Sequence, residues 1–231
     1  MRIINTKLFK ENFDRYVSYF ITPNLVRNVI IFGGGIILFI IGVIAYGIII
    51  NLRDIPLEKA MRQKGISKLN NPLIIIDRRN YSLLLFNDTV FIKSFRANFG
   101  RNVNNPKMLA GDLATPVGNY KICKIDTGTK YYKFFELDYP NVSDAEEALR
   151  RGIISQVQYD SLILDYHNNL CPRADTPLGG HIGIQGIGEL NYIFRYLPFN
   201  YNWTDGSIAI SNEAMDELYS VVKKGTKVVI K

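Results

Sequence analysis

Between Val29 and Ile50 the chain reads VIIFGGGIILFIIGVIAYGIII, an unbroken apolar run with no charged residue. At 1.5 Å of rise per residue, roughly twenty-two residues in a helix cover a hydrocarbon core of about 30 Å. The run exceeds the apolar stretch of about 7–15 residues in a cleavable leader, and no small-residue cleavage pattern comes after it. The expectation is one uncleaved transmembrane helix over residues 29–50, which separates a short N-terminal segment from a much longer C-terminal one. Its glycines are ordinary for a membrane helix and form no GxxxG pair.

Ahead of the span, Phe9, Phe13, Tyr16, Val17 and Phe20 recur at helical spacing, with Lys7, Lys10, Glu11, Asp14 and Arg15 on other faces and Pro23 as terminator. This pattern predicts an amphipathic helix within residues 1–28, able to lie at a lipid surface or against a partner. Arginines and lysines are balanced across the span, so charge alone sets no orientation. The net charge of +7 comes from dispersed residues without a nucleic-acid-binding motif, so no nucleic-acid partner is expected.

Residues 51–71 read as a linker with a short helix, capped by Asp54, begun near Pro56 and closed by Gly65. From Pro72 the pattern changes to strands and turns: PLIIID, YSLLLF and VFIKSF form a meander, and a loop GDLATPVGNYKI leads into a strand over Tyr120 to Ile125. Ser143 and Glu146 suggest a capping box before a helix ending at Gly152, and Ser155 starts a second helix to about Tyr166. In HIGIQG and GSIAIS, apolar residues alternate with His181, Gly183, Gln185, Ser207 and Ala209, which turns Gln185 and Ser207 away from the core toward a shared cleft. Met215, Leu218, Tyr219 and Val222 mark a helix before a last strand, Lys227 to Ile230. Cys123 and Cys171 are either free thiols or one disulfide; they and the two histidines lack metal-ligand spacing, so no metal and no cofactor are expected.

Taken in order, IIIDRRNYSLLLF, GDLATPVGNYKI, FFELDYPN with DAEEAL, LGGHIGIQG and WTDGSIAISNEAMDELY resemble the L,D-transpeptidase catalytic domain family (YkuD-like) over residues 72–231. The resemblance implies a mainly β fold with a few helices, an L,D-transpeptidase-like β-sandwich, exported from the cytoplasm and facing peptidoglycan. It implies a bacterial inner-membrane protein with its N-terminus in the cytoplasm and its C-terminal domain in the periplasm. Members of the family attack a stem-peptide amide with a cysteine prepared by a histidine. Here the cysteine position is Ser207 and the histidine position is Gln185, with Gly186, Gly206, Asp205, Trp203 and Tyr201 as the surrounding substrate-binding candidates.

The two replacements compound each other. A thiol with a pKa near 8.5 supplies some thiolate at neutral pH, whereas a serine hydroxyl must lose its proton during attack. A glutamine amide holds no proton near neutrality, so a general-base contribution of about 10²–10⁴-fold is absent. On a straight strand His181 lies about 13 Å from Gln185, out of reach of the nucleophile position, and an exposed Asp205 with a pKa near 3.9 is a weak base for an alcohol. The sequence therefore predicts a catalytically silent domain that binds peptidoglycan stem peptides or an envelope partner complex. The competing reading is acyl transfer by Ser207.

Overall fold

The computed structural model describes residues 22–52 and 54–231; the amphipathic helix expected within residues 1–28 lies outside them apart from its last few positions. Helix α1 runs from Pro23 to Leu52. It begins earlier than the apolar run because Pro23 suits the first turn and Thr22 Oγ1 accepts the Leu25 amide at 3.2 Å. Pro23 therefore opens this helix. Pro23–Ile49 is long and apolar enough to cross a membrane, and its large side chains are exposed, Phe32 and Phe39 at 72% each, while Gly47 is buried against the Tyr196 backbone.

The linker helix α2, Leu57–Gln63, departs from expectation in two ways. Asp54 does not cap it; Pro56 precedes the helix, and the Asp54 carboxylate instead meets Lys93 Nζ at 3.2 Å. Lys93 is buried and also contacts Glu217 at 2.6 Å, so two carboxylates offset the cost of removing its ammonium from water. The linker is also no loose spacer, because Leu57, Ala60 and Met61 join the main hydrophobic core.

The meander forms as the alternation predicts: β1 Pro72–Asp77, β2 Ser82–Asn87 and β3 Val90–Arg96 pair antiparallel. The strand β4 is longer than expected, Gly118–Thr129, and serves two neighbours. Its first residues pair with the C-terminal strand β8, Lys227–Ile230, which also lies parallel to β1. Beyond a register shift near Ile122 it pairs with β5, Tyr132–Leu137, which is followed in space by β6 Gly183–Gly186 and β7 Ile208–Ile210. The result is a mixed sheet of eight strands in the order β3-β2-β1-β8-β4-β5-β6-β7. After β3 the chain returns to the far edge, where Asn98 and Ala209 exchange two backbone hydrogen bonds of 2.8 Å. The two halves of the sheet, hinged on β4, thus enclose a core that includes Ile74, Leu83, Ile122, Phe135, Ile184 and Met215.

Helix α3, Val142–Arg150, is capped two residues ahead of the expected position, by Asn141 and Asp144 in place of Ser143 and Glu146. The Asp144 carboxylate also receives the Tyr120 hydroxyl at 3.1 Å, which ties the helix start to β4. Helix α4, Gln156–His167, has the Ser155 cap that the sequence indicates, completed by Gln158. These helices pack a second small core through Ala145, Ala148, Ile154, Leu162 and Leu178. A disulfide between Cys123 on β4 and Cys171 beyond α4 pins this lobe to the sheet, which resolves the alternatives left by the sequence. The short α5, Asn191–Phe194, follows β6, and α6, Asn212–Tyr219, capped by Ser211, covers β5 and β6 before β8.

Candidate active site

The pairing of β5, β6 and β7 sets side chains in two rows on one face. Phe134, Gln185 and Ala209 are register partners in one row; Glu136 faces Gly183 in the next. One step before β7, Ser207 continues that second row, so the glycine leaves an open slot between the carboxylate and the hydroxyl. These rows floor a cavity of about 650 Å³ whose walls include Arg101, Lys124, Lys130, Trp203, Asp205 and His181.

Ser207 is largely buried at 8% exposure, and its Oγ accepts the Gly183 amide at 3.3 Å. Its carbonyl accepts the Thr204 hydroxyl at 2.6 Å, and Gly206 before it adopts φ of +129°, a region that favours glycine. A Cβ on Gly206 would also stand 2.7 Å from the Ala114 carbonyl, so the turn that lifts Ser207 into the cavity requires glycine twice over. Ala114 belongs to the GDLATP loop, which Asp112 organises by accepting the Met108, Leu109 and Ala114 amides and the Lys107 ammonium. Burial pushes the Asp112 carboxyl upward, but the Leu109 amide and Lys107 outweigh it and hold the group below the usual aspartate range.

His181 stands outside the straight strand. It precedes β6 rather than lying on it, its φ is +55°, and the chain bends there, bringing the imidazole into the same cavity as Gln185 and Ser207. Its Nδ1 stands 2.7 Å from Glu136 Oε1; the Glu136 side chain is 7% exposed and the imidazole 74%. A carboxylate oxygen of Glu136 and the two disulfide sulfurs lie within 4.8 Å of one another, so the disulfide sits beneath this pair. Those sulfurs are bonded to each other and offer no thiolate. Among the described residues no imidazole or carboxylate is hydrogen-bonded to the Ser207 hydroxyl.

The motifs that built this cavity also decide the family. The pattern that defines the L,D-transpeptidase catalytic domain (YkuD) matches residues 71–230. The chain belongs to the L,D-transpeptidase catalytic domain family. Its fold is similar to the L,D-transpeptidase from Xylanimonas cellulosilytica, with 15% identity, a TM-score of 0.42, and coverage of 76% of this chain and 70% of that one. It is likewise similar to the helical cell shape determining protein Pgp2 from Campylobacter jejuni, at 16% identity and a TM-score of 0.45, covering 73% of this chain and 53% of that one. The L,D-transpeptidase from Mycobacterium smegmatis gives 13% identity and a TM-score of 0.38, covering 70% and 58%. This chain thus spans little more than half the length of the last two proteins. No curated protein matches it.

Within this L,D-transpeptidase domain the structure brings Ser207, Gln185, Asp205 and Trp203 to one cavity. Gly186 and Gly206 shape backbone instead: a Cβ on Gly186 would meet the Tyr131 carbonyl at 2.6 Å. Tyr201 stands outside the cavity lining, 54% exposed, held by its amide on Asn98 Oδ1 at 3.1 Å. The Asp205 carboxylate is exposed and paired with the Arg101 guanidinium, so a cation already engages it. Glu136 and Arg101 are cavity residues that sequence reasoning passed over, and His181, weighed as a base and set aside, lines the same cavity. Glu136 could have been found only from the β5–β6 register, and Arg101 only from the bridge that brings Gly100 beside Thr204.

Proposed function

We propose that this chain is a membrane-anchored, catalytically silent L,D-transpeptidase-like protein of the bacterial cell envelope, whose cavity holds a peptidoglycan stem peptide without cutting it. The observation that carries the reading is the environment of Ser207: its hydroxyl oxygen faces the Gly183 N–H, a donor that takes no proton, and Gln185 occupies the position of the family histidine. An alcohol so placed keeps its hydrogen, whereas the glycines, rows and aromatic wall that would receive a peptide remain built. Helix α1 supplies the anchor. The Cys123–Cys171 disulfide supports placing the domain on the exported, oxidising side, with the N-terminus in the cytoplasm. The same exposed cavity rim is open to an envelope protein partner that presents a peptide.

The test is direct. The full chain in detergent or nanodiscs is titrated with tetrapeptide muropeptides and then incubated with them. Saturable binding with neither cross-linked product nor released D-alanine supports the reading, and turnover abolished by Ser207→Ala overturns it.

A second reading, acyl transfer by Ser207, is favoured by one observation: Glu136 holds His181 through Nδ1 and leaves Nε2 able to accept a proton in the same cavity. It requires the ring to move to the hydroxyl when substrate binds. A β-lactam or ester that leaves a mass increment on Ser207, lost in His181→Ala, would select it.

A further inference from the structure

We propose that the segment of residues 188–201 rests on the surface of the lipid bilayer that α1 enters, holding the cavity-bearing domain down on the membrane. The proposal rests on α1 being a membrane anchor and adds a second lipid contact made by the exported domain itself.

The first observation is the exposure of large side chains on this segment: Leu190 at 51%, Tyr192 at 68%, Ile193 at 46%, Phe199 at 57% and Tyr201 at 54%. Such a concentration of exposed apolar and aromatic groups on one connection marks an interaction surface. Tyrosine and phenylalanine beside leucine and isoleucine are the mixture that settles at the boundary between headgroups and acyl chains.

The second observation identifies the occupant. The tether from α1 is short: α1 ends at Leu52, Asp54 is already bound to Lys93 on β3, and Leu57 is in the core. The five steps from Leu52 to Leu57 span at most about 18 Å, so the β3 edge cannot leave the neighbourhood of the bilayer. The same strand holds the apolar segment. Arg96, three residues or about 10 Å along β3 from Lys93, donates to the Phe194 carbonyl at 3.2 Å and to the Arg195 carbonyl at 3.3 Å, and also to the Leu197 carbonyl. Tether and segment are therefore fixed to one strand, and lipid is the apolar phase always within their reach. A separate protein or a second copy would have to find this surface by diffusion.

The arrangement links lipid to the site. Phe194 on this segment packs against Trp203 of the cavity wall, ring centroids 6.3 Å apart. Seating the segment on the membrane sets the cavity beside the bilayer surface, where it meets peptides presented close to lipid.

The two native cysteines are joined, so an introduced cysteine is the sole target for a spin label. The full chain carrying Tyr192→Cys, Phe199→Cys, Val157→Cys or Phe39→Cys is reconstituted in vesicles of phosphatidylethanolamine and phosphatidylglycerol. Collisions with oxygen, which concentrates in lipid, are compared with collisions with a water-soluble nickel chelate. Phe39 reports anchoring by α1, and Val157, 75% exposed on the disulfide-pinned lobe, reports water. The expected result is an oxygen-to-nickel ratio at positions 192 and 199 several-fold above that at 157, with position 39 highest. Ratios at 192 and 199 equal to that at 157, with 39 still in lipid, overturn the proposal and leave the anchor standing. Labels at 192 and 199 shielded from both reagents mean that protein covers the segment, which also overturns it. A water-like ratio at 39 overturns both.

Discussion

His181 Nδ1 meets Glu136 Oε1 at 2.7 Å, joining an open imidazole to a buried carboxylate across the mouth of a cavity that also contains Ser207. The contact fixes the ring's orientation and satisfies a carboxylate that would otherwise be costly to bury. On the proposed reading of a domain that only binds, its use is to shape and charge the floor on which a peptide would lie.

From this pair we expect His181→Ala and Glu136→Gln to leave turnover at zero while weakening stem-peptide binding up to about tenfold, equivalent to about 1.4 kcal/mol. Calorimetric titration of the full chain checks the affinity, and chromatography of the muropeptides checks the turnover. Glu136→Gln should be the milder change, because the amide oxygen still accepts a hydrogen bond from the ring.

Restoring the family pair gives the complementary prediction. Gln185→His with Ser207→Cys should produce measurable cleavage of a tetrapeptide stem, and each single change should give none. Gln185→His alone leaves a hydroxyl in place of the thiol, and Ser207→Cys alone leaves the thiol without its imidazole. Product formation by either single variant at the level of the double one would show that proton transfer is not what separates this cavity from chemistry.

The disulfide supports the site from below. It closes a loop with a sequence separation of 48 residues, for which the chain-entropy estimate of stabilisation is about 4 kcal/mol. Cys123→Ser with Cys171→Ser should lower the denaturant midpoint of the C-terminal domain accordingly, followed by near-ultraviolet circular dichroism. Because the sulfurs underlie Glu136, the same variant should loosen peptide binding even where the domain stays folded.

Acid should act on the loop behind Ser207. The folded Asp112 carboxyl titrates below its unfolded value of 3.8, so its stabilising effect is complete above that pH and is lost as pH falls through the lower folded value. Hydrogen exchange should find the Met108, Leu109 and Ala114 amides protected from pH 7 down to about 4 and opening below it. Asp112→Ala, which removes both accepting oxygens, should expose them across the whole range.

The sequence went far on its own where the signal is local. An uncharged apolar run fixes a helix by length alone, alternation in PLIIID and SLLLFN fixes which faces are buried, and Ser155 with Gln158 caps α4 by contacts three residues apart. That Ser207 and Gln185 face one cleft was legible because strand alternation turns both off the apolar face. The tertiary structure decided what depends on residues distant in the chain. Register across β5 and β6 brings Glu136 to Gly183, the positive φ of His181 turns its ring into the cavity, and Lys93 takes Asp54 away from the helix it was expected to cap. The physical reason is the range of the forces involved: periodicity and capping act within a turn or a strand, whereas ion pairing and burial are settled only when separate strands meet.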